Sequence, residues 1–106
     1  MDKQIDSMLD ANSILSYLKD NKERLLKDYH ITKIGLFGSL SRGEQKDSSD
    51  IDLVVEFEPN TPDLYSLKSK LKDEIQSKFD RHVDICRLKY IKPIFKNQIQ
   101  SEIRYV

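Results

Sequence analysis

The spacing of apolar positions changes several times along the chain, and each change predicts an element. Ile14, Leu15, Leu18, Leu25 and Leu26 fall at helical intervals, which predicts a helix capped by Asn12 or Ser13 and running to about Lys27. Ile5, Met8 and Leu9 add a separate turn ahead of it or a frayed start. Ile31 to Phe37 reads as a strand, with Ile34, Leu36 and Phe37 apolar and Gly35 where another backbone can come close. Gly38-Ser39 ends it and opens one helical turn, Ser39 to Arg42, closed by Gly43. A polar loop, Glu44 to Ser49, leads to a second strand, Asp50 to Phe57, in which Ile51, Leu53, Val55 and Phe57 share one face and Asp50 and Asp52 the other. That alternation blurs at Val54, as expected where a solvent-facing rim gives way to a buried middle.

Glu58 to Asp63, with Pro59 and Pro62, is a turn in which Thr61 caps the next helix and Pro62 takes its first position. Leu64, Leu67, Leu71, Ile75 and Phe79 mark one face of that helix. His82 to Cys86 reads as a third strand with Val83 and Ile85 inward and Asp84 opposite. Pro93 starts a last helix striped by Phe95, Ile99 and Ile103. The order helix, strand, short helix, strand, helix, strand, helix predicts an α/β sandwich around a small sheet, in one domain spanning 1–106. The pattern leaves strand order and direction open.

Composition narrows the class. The chain has 106 residues, 34% charged and 38% hydrophobic, and its apolar runs fall short of the ~20 residues of a membrane span. Met1-Asp2-Lys3-Gln4 lacks the pattern of a secretory signal, and the single cysteine, Cys86, has no internal disulfide partner, so a reducing cytoplasm is the expected setting. One cysteine with His30 and His82 far apart makes no zinc set. Net charge is zero, but seven acids and one base lie between Glu44 and Asp63, and ten bases and five acids from Leu64 to Val106. The absence of a basic stripe argues against direct nucleic-acid binding. The basic half, including Lys89, Lys92 and Lys96, is a candidate docking face for an acidic partner or simply a solvated one.

The candidate chemistry sits between the first two strands. Asp50 and Asp52, at i and i+2, project from one side of a strand, and two carboxylates so close repel unless a cation lies between them. Oxygen ligands at that spacing suit Mg²⁺ or Mn²⁺. The Gly38-Ser39 turn offers free N–H groups and a hydroxyl to a phosphate, and Arg42 lies on the same helical face as Ser39. If the third strand lies beside the second, Asp84 joins the pair. Such a trio can hold the two ions, about 4 Å apart, of phosphoryl and nucleotidyl transfer, with Asp84 nearest the acceptor hydroxyl as metal ligand and general base.

Gly38, Ser39, Arg42, Gly43, Asp50, Asp52 and Asp84, with their apolar flanks, resemble the minimal nucleotidyltransferases of the DNA polymerase β superfamily. The resemblance covers roughly residues 12 to 106. It departs at Ser41, where many relatives carry Ala, a change of little expected effect between two small residues. It implies a mixed sheet with flanking helices, and Mg²⁺-dependent transfer of a nucleoside monophosphate, AMP from ATP, to a hydroxyl. It further implies an antitoxin that adenylylates a tyrosine of a HEPN-domain toxin. Two other readings stay open: a module that neutralises its partner by contact alone, and a small-molecule, drug-modifying nucleotidyltransferase, which the short chain disfavours.

Overall fold

The computed structural model describes residues 9–44 and 50–106. The expectations that rest on Ile5, Met8 and the polar loop after Glu44 lie outside the described residues.

The predicted first helix is two. Helix α1 spans Ala11–Asp20 and helix α2 spans Lys22–Tyr29. Its cap is neither Asn12 nor Ser13 but Asp10, whose Oδ1 accepts the Ser13 N–H at 2.9 Å and so satisfies a helix-end donor. The break falls at Asn21, whose Nδ2 donates to the Tyr17 carbonyl at 2.9 Å, a side-chain bond that competes with the helix ladder. The bend lets Ile14 and Leu18 on one helix and Leu25 on the other reach the same core, all fully buried.

Strand β1, Ile31–Phe37, has the predicted bounds. A four-residue helix α3, Gly38–Ser41, follows, with Gly43 beyond it at φ +77°. Strand β2, Ile51–Phe57, runs back antiparallel to β1, pairing Leu36 with Leu53 and Phe37 with Asp52. Helix α4 spans Leu64–Phe79. Pro62 precedes it instead of opening it: Asp63 occupies the cap position at φ +58°, and the Thr61 hydroxyl donates to the Glu58 carbonyl at 2.7 Å, which uses it within the turn. Strand β3, Val83–Arg87, then pairs with β2 in parallel, so α4 is the crossover of a β-α-β unit. A 3-10 turn, Leu88–Tyr90, helix α5, Pro93–Glu102, and a two-residue strand β4, Arg104–Tyr105, end the chain. The sheet order is β3-β2-β1-β4 and its directions are mixed.

One face of this sheet is dry. Ile34, Leu36, Leu53, Val55 and Val83 pack with Ile14, Leu18, Leu25, Leu71 and Ile75 from the helices. The face partition along β2 is as predicted: Ile51, Leu53, Val55 and Phe57 are buried in this core, while Asp52, Val54 and Glu56 lie on the opposite face. The Glu74 carboxylate ties α4 to α1 and α2. It accepts from Tyr17 Oη at 2.7 Å, Tyr29 Oη at 2.7 Å and Arg24 Nη2 at 2.6 Å.

The C-terminal third departs most from expectation. Helix α5 has no buried residue, and Ile94 is 82% and Phe95 51% exposed. Ile103 is not on a helical stripe but caps the helix end and turns into β4. That strand crosses Gly35 so closely that a Cβ there would lie 2.8 Å from Ile103 Cγ2 and 3.2 Å from the Arg104 carbonyl oxygen. The close approach predicted at Gly35 is real, and β4 is the element that makes it.

Candidate active site

The parallel register of β2 and β3 sets Asp52 directly opposite Asp84. Parallel partners present their side chains to the same face, so both carboxylates leave the sheet on the side away from the core. Asp50, immediately before β2, stands with them. A carboxylate oxygen of Asp50, one of Asp84 and a ring nitrogen of His82 all lie within 4.8 Å of one another. His82 Nδ1 is 3.5 Å from Asp50 Oδ2. The three predicted acids thus meet at one end of the sheet.

His82 was not among the predicted site residues. Its signal lay in the strand read from His82 to Cys86, where a residue two before Asp84 shares that aspartate's face; the structure sets His82 immediately before β3. The sequence weighed it only for zinc.

The turn between β1 and β2 reaches the same place. Gly38 has φ +81°, a left-handed conformation that favours glycine. A Cβ there would also run into the Asp52 carboxylate, 3.0 Å from its Cγ. Gly38 is therefore required twice, by its backbone angle and by the carboxylate resting on its Cα. Ser39 is half-buried in the same turn. Arg42 has another occupation: its Nη1 donates to Glu102 at 2.9 Å and its Nε to Glu44 at 3.1 Å, with Nη2 ion-paired to that Glu44 oxygen at 3.1 Å. Ser41 is more than a small filler. Its hydroxyl donates to the Glu102 carbonyl at 2.6 Å, fastening the end of α5 to this turn.

The electrostatics of the cluster show at Asp52. Asp52 is pushed up to about 6, first by partial burial, then by the negative charges of Asp84 and Asp50, against the lowering influence of Arg42 and His82. A cation beside Asp52 would relieve the repulsion from Asp84 and Asp50. Oxygen-rich donors with one imidazole fit Mg²⁺ or Mn²⁺ better than a soft metal. Beside Asp84 a cleft of about 330 Å³ opens between β3 and α4, lined by Tyr65, Lys68, Ser69, Lys72 and Ile85.

This fold, an antiparallel β1-β2 pair joined through a glycine turn and a parallel β3 that completes an acidic cluster, is that of a minimal nucleotidyltransferase. A solved structure provisionally described as one superposes with a TM-score of 0.74 at 24% identity, covering 91% of this chain and 95% of the other. Residues 16–106 match the nucleotidyltransferase domain family, to which the chain belongs. Protein adenylyltransferase MntA of Thermococcus cleftensis is 31% identical over 100 residues, 94% of this chain and 99% of that one. A Methanocaldococcus jannaschii protein provisionally named a protein adenylyltransferase is 34% identical over 100 residues, 93% of this chain and all of the other. A toxin-antitoxin crystallised with AMP-PNP contains a chain 28% identical, with a TM-score of 0.63, covering 82% of this chain and 70% of that chain. The chain is accordingly an enzyme of the nucleotidyltransferase class.

Proposed function

We propose that residues 1–106 form one catalytic module that transfers AMP from ATP to a tyrosine hydroxyl of a HEPN-domain toxin, and so acts as an antitoxin in the cytoplasm. One observation carries the reading: Asp52 faces Asp84 across two strands, with Asp50 beside them and the Gly38 turn beneath Asp52. The names of the adenylyltransferase relatives and the AMP-PNP-bound toxin-antitoxin relative support the donor and the partner.

In this reading Gly38 lets the phosphates approach the backbone, and the Ser39 hydroxyl and the N–H groups of the turn donate to their oxygens. Arg42 contributes only if a phosphate displaces one of its carboxylate partners, Glu44 or Glu102. Asp50, Asp52 and Asp84 would hold Mg²⁺ or Mn²⁺, which when bound neutralises charge on the triphosphate and makes the acceptor hydroxyl a better nucleophile. Asp84, the exposed acid of β3, takes the proton from the tyrosine hydroxyl as its oxygen forms a bond to the α-phosphorus. The bond from that phosphorus to the β-bridging oxygen breaks and pyrophosphate leaves.

The test is co-expression with the product of the adjacent gene, as the candidate toxin, followed by intact-mass spectrometry. The toxin should gain one or more AMP units, and none with Asp50→Ala/Asp52→Ala. An unmodified toxin that the double variant still neutralises would replace this reading with neutralisation by contact.

A further inference from the structure

Among the described residues strand β3 is an edge of the sheet, with β2 as its one partner in the order β3-β2-β1-β4. A free edge is a row of backbone donors and acceptors that accepts an extended chain. At the start of this edge Gln76 Oε1 of α4 accepts the Val83 N–H at 3.2 Å. Backbone groups alternate between the two edges of a strand, so those of Ile85 point the same way as the N–H of Val83, away from β2. Ile85 lies in the cleft between β3 and α4, beside the Asp84 carboxylate.

The far wall of this cleft is basic. Lys68 and Lys72, one helical turn apart on α4, both line it. Both are half-buried, and neither has a carboxylate partner among the described residues. Two lysines on one wall give the cleft a positive flank that an anion complements. Tyr65, 84% exposed, stands at its mouth. The phosphate-facing turn at Gly38 lies on the other side of Asp52, across β2 from β3. The basic cleft is therefore on the flank of the hydroxyl acceptor and away from the turn that meets the donor's phosphates.

We infer that the β3-α4 cleft binds the acceptor as an extended, acidic segment laid along the free edge of β3, with its carboxylates on Lys68 and Lys72. The segment's hydroxyl residue then arrives at Asp84. This rests on the transfer proposed above for its consequence, but the binding itself can be read without any transfer.

The probe is a pair of fluorescent tyrosine peptides, one flanked by Asp and Glu and one by Lys, titrated with the full chain at low salt and followed by anisotropy. The acidic peptide should bind at least tenfold more tightly than the basic one. It should bind Asp50→Asn/Asp52→Asn at least as well as the parent, and lose about tenfold or more with Lys68→Gln/Lys72→Gln. Thermal melts confirm that the glutamine variant is folded, and Lys68→Arg/Lys72→Arg should restore binding. Equal binding of the two peptides, or undiminished binding by the glutamine variant, would overturn the inference. So would a raised KM for ATP in that variant with peptide binding unchanged, since the lysines would then serve the donor. A catalytically silent protein that keeps the charge-selective binding would refute the transfer reading alone.

Discussion

At the residue scale, Asp52 carries the sharpest consequences. Its carboxyl is raised to about 6 by burial and by Asp84 and Asp50, so the folded protein binds that proton more tightly than the unfolded chain. Stability therefore falls as pH rises from about 4 through 6, and the penalty is complete above that. Without divalent metal, Asp52→Asn should melt about 4 °C or more above the parent at pH 7.5, taking roughly 1 kcal/mol after solvent screening, and should gain little at pH 4. Mg²⁺ should raise the parent's melting temperature and leave that of the variant almost unchanged. Nucleotide transfer by the variant should fall by about a thousandfold or more. Thermal melts in chelator and in Mg²⁺, beside a transfer assay, check all three. Gly38→Ala meets two obstacles at once, a φ of +81° and the Asp52 carboxylate, and should cost about 1–3 kcal/mol in a denaturant titration. The same substitution at Gly43, where a Cβ would meet nothing within 4 Å, carries only the cost of its φ of +77°.

At the scale of elements, the helices that bury their faces and the one that does not should respond differently to substitution. Leu71→Ala in α4 leaves a cavity in the core and should cost about 2–5 kcal/mol, whereas Ile94→Ser in α5, 82% exposed, should change stability by about 0.5 kcal/mol or less. Glu74 joins α1, α2 and α4 through Arg24, Tyr17 and Tyr29, and the Arg24 hydrogen bonds above all hold its carboxyl down at about 2. Its contribution is fully present above the ordinary carboxylate range and fades as pH falls from about 4.5 towards 2. Glu74→Gln should cost about 2 kcal/mol at pH 7 and much less at pH 2.5, measured by urea unfolding at both. Strands were the most legible elements in the sequence. Two-residue alternation fixed which face Asp50, Asp52 and Asp84 would occupy, and a glycine turn between apolar runs located the bend at Gly38. Helix ends were less legible, because several residues could cap: Asp10 and Asn12 both qualify by type, and only the packed fold shows which carboxylate meets the Ser13 N–H. β4 left almost no trace in the sequence. A two-residue strand has no period, and its partner, Gly35, signalled an approach without saying by what.

At the scale of the whole molecule, a zero net charge conceals a division of labour. The acids gather at one end of the sheet, and Lys68 and Lys72, with no carboxylate partner among the described residues, line the cleft beside them. His82 entered this picture only in three dimensions, since its distance from Asp50 in the sequence hid a separation of 3.5 Å in space. The parallel pairing of β2 with β3 adds a constraint of timing. An antiparallel hairpin could have supplied its third acid within a few residues, whereas a parallel partner must wait for the crossover helix. A chain still being synthesised has the glycine turn, Asp50 and Asp52 in place by Phe57, yet it lacks Asp84 and the α4 core that positions it. The cluster is assembled only once nearly the whole length has emerged and closed. A copy that ends before β3 should therefore bind neither metal nor nucleotide productively, and any cation binding would report that β3 has joined the sheet.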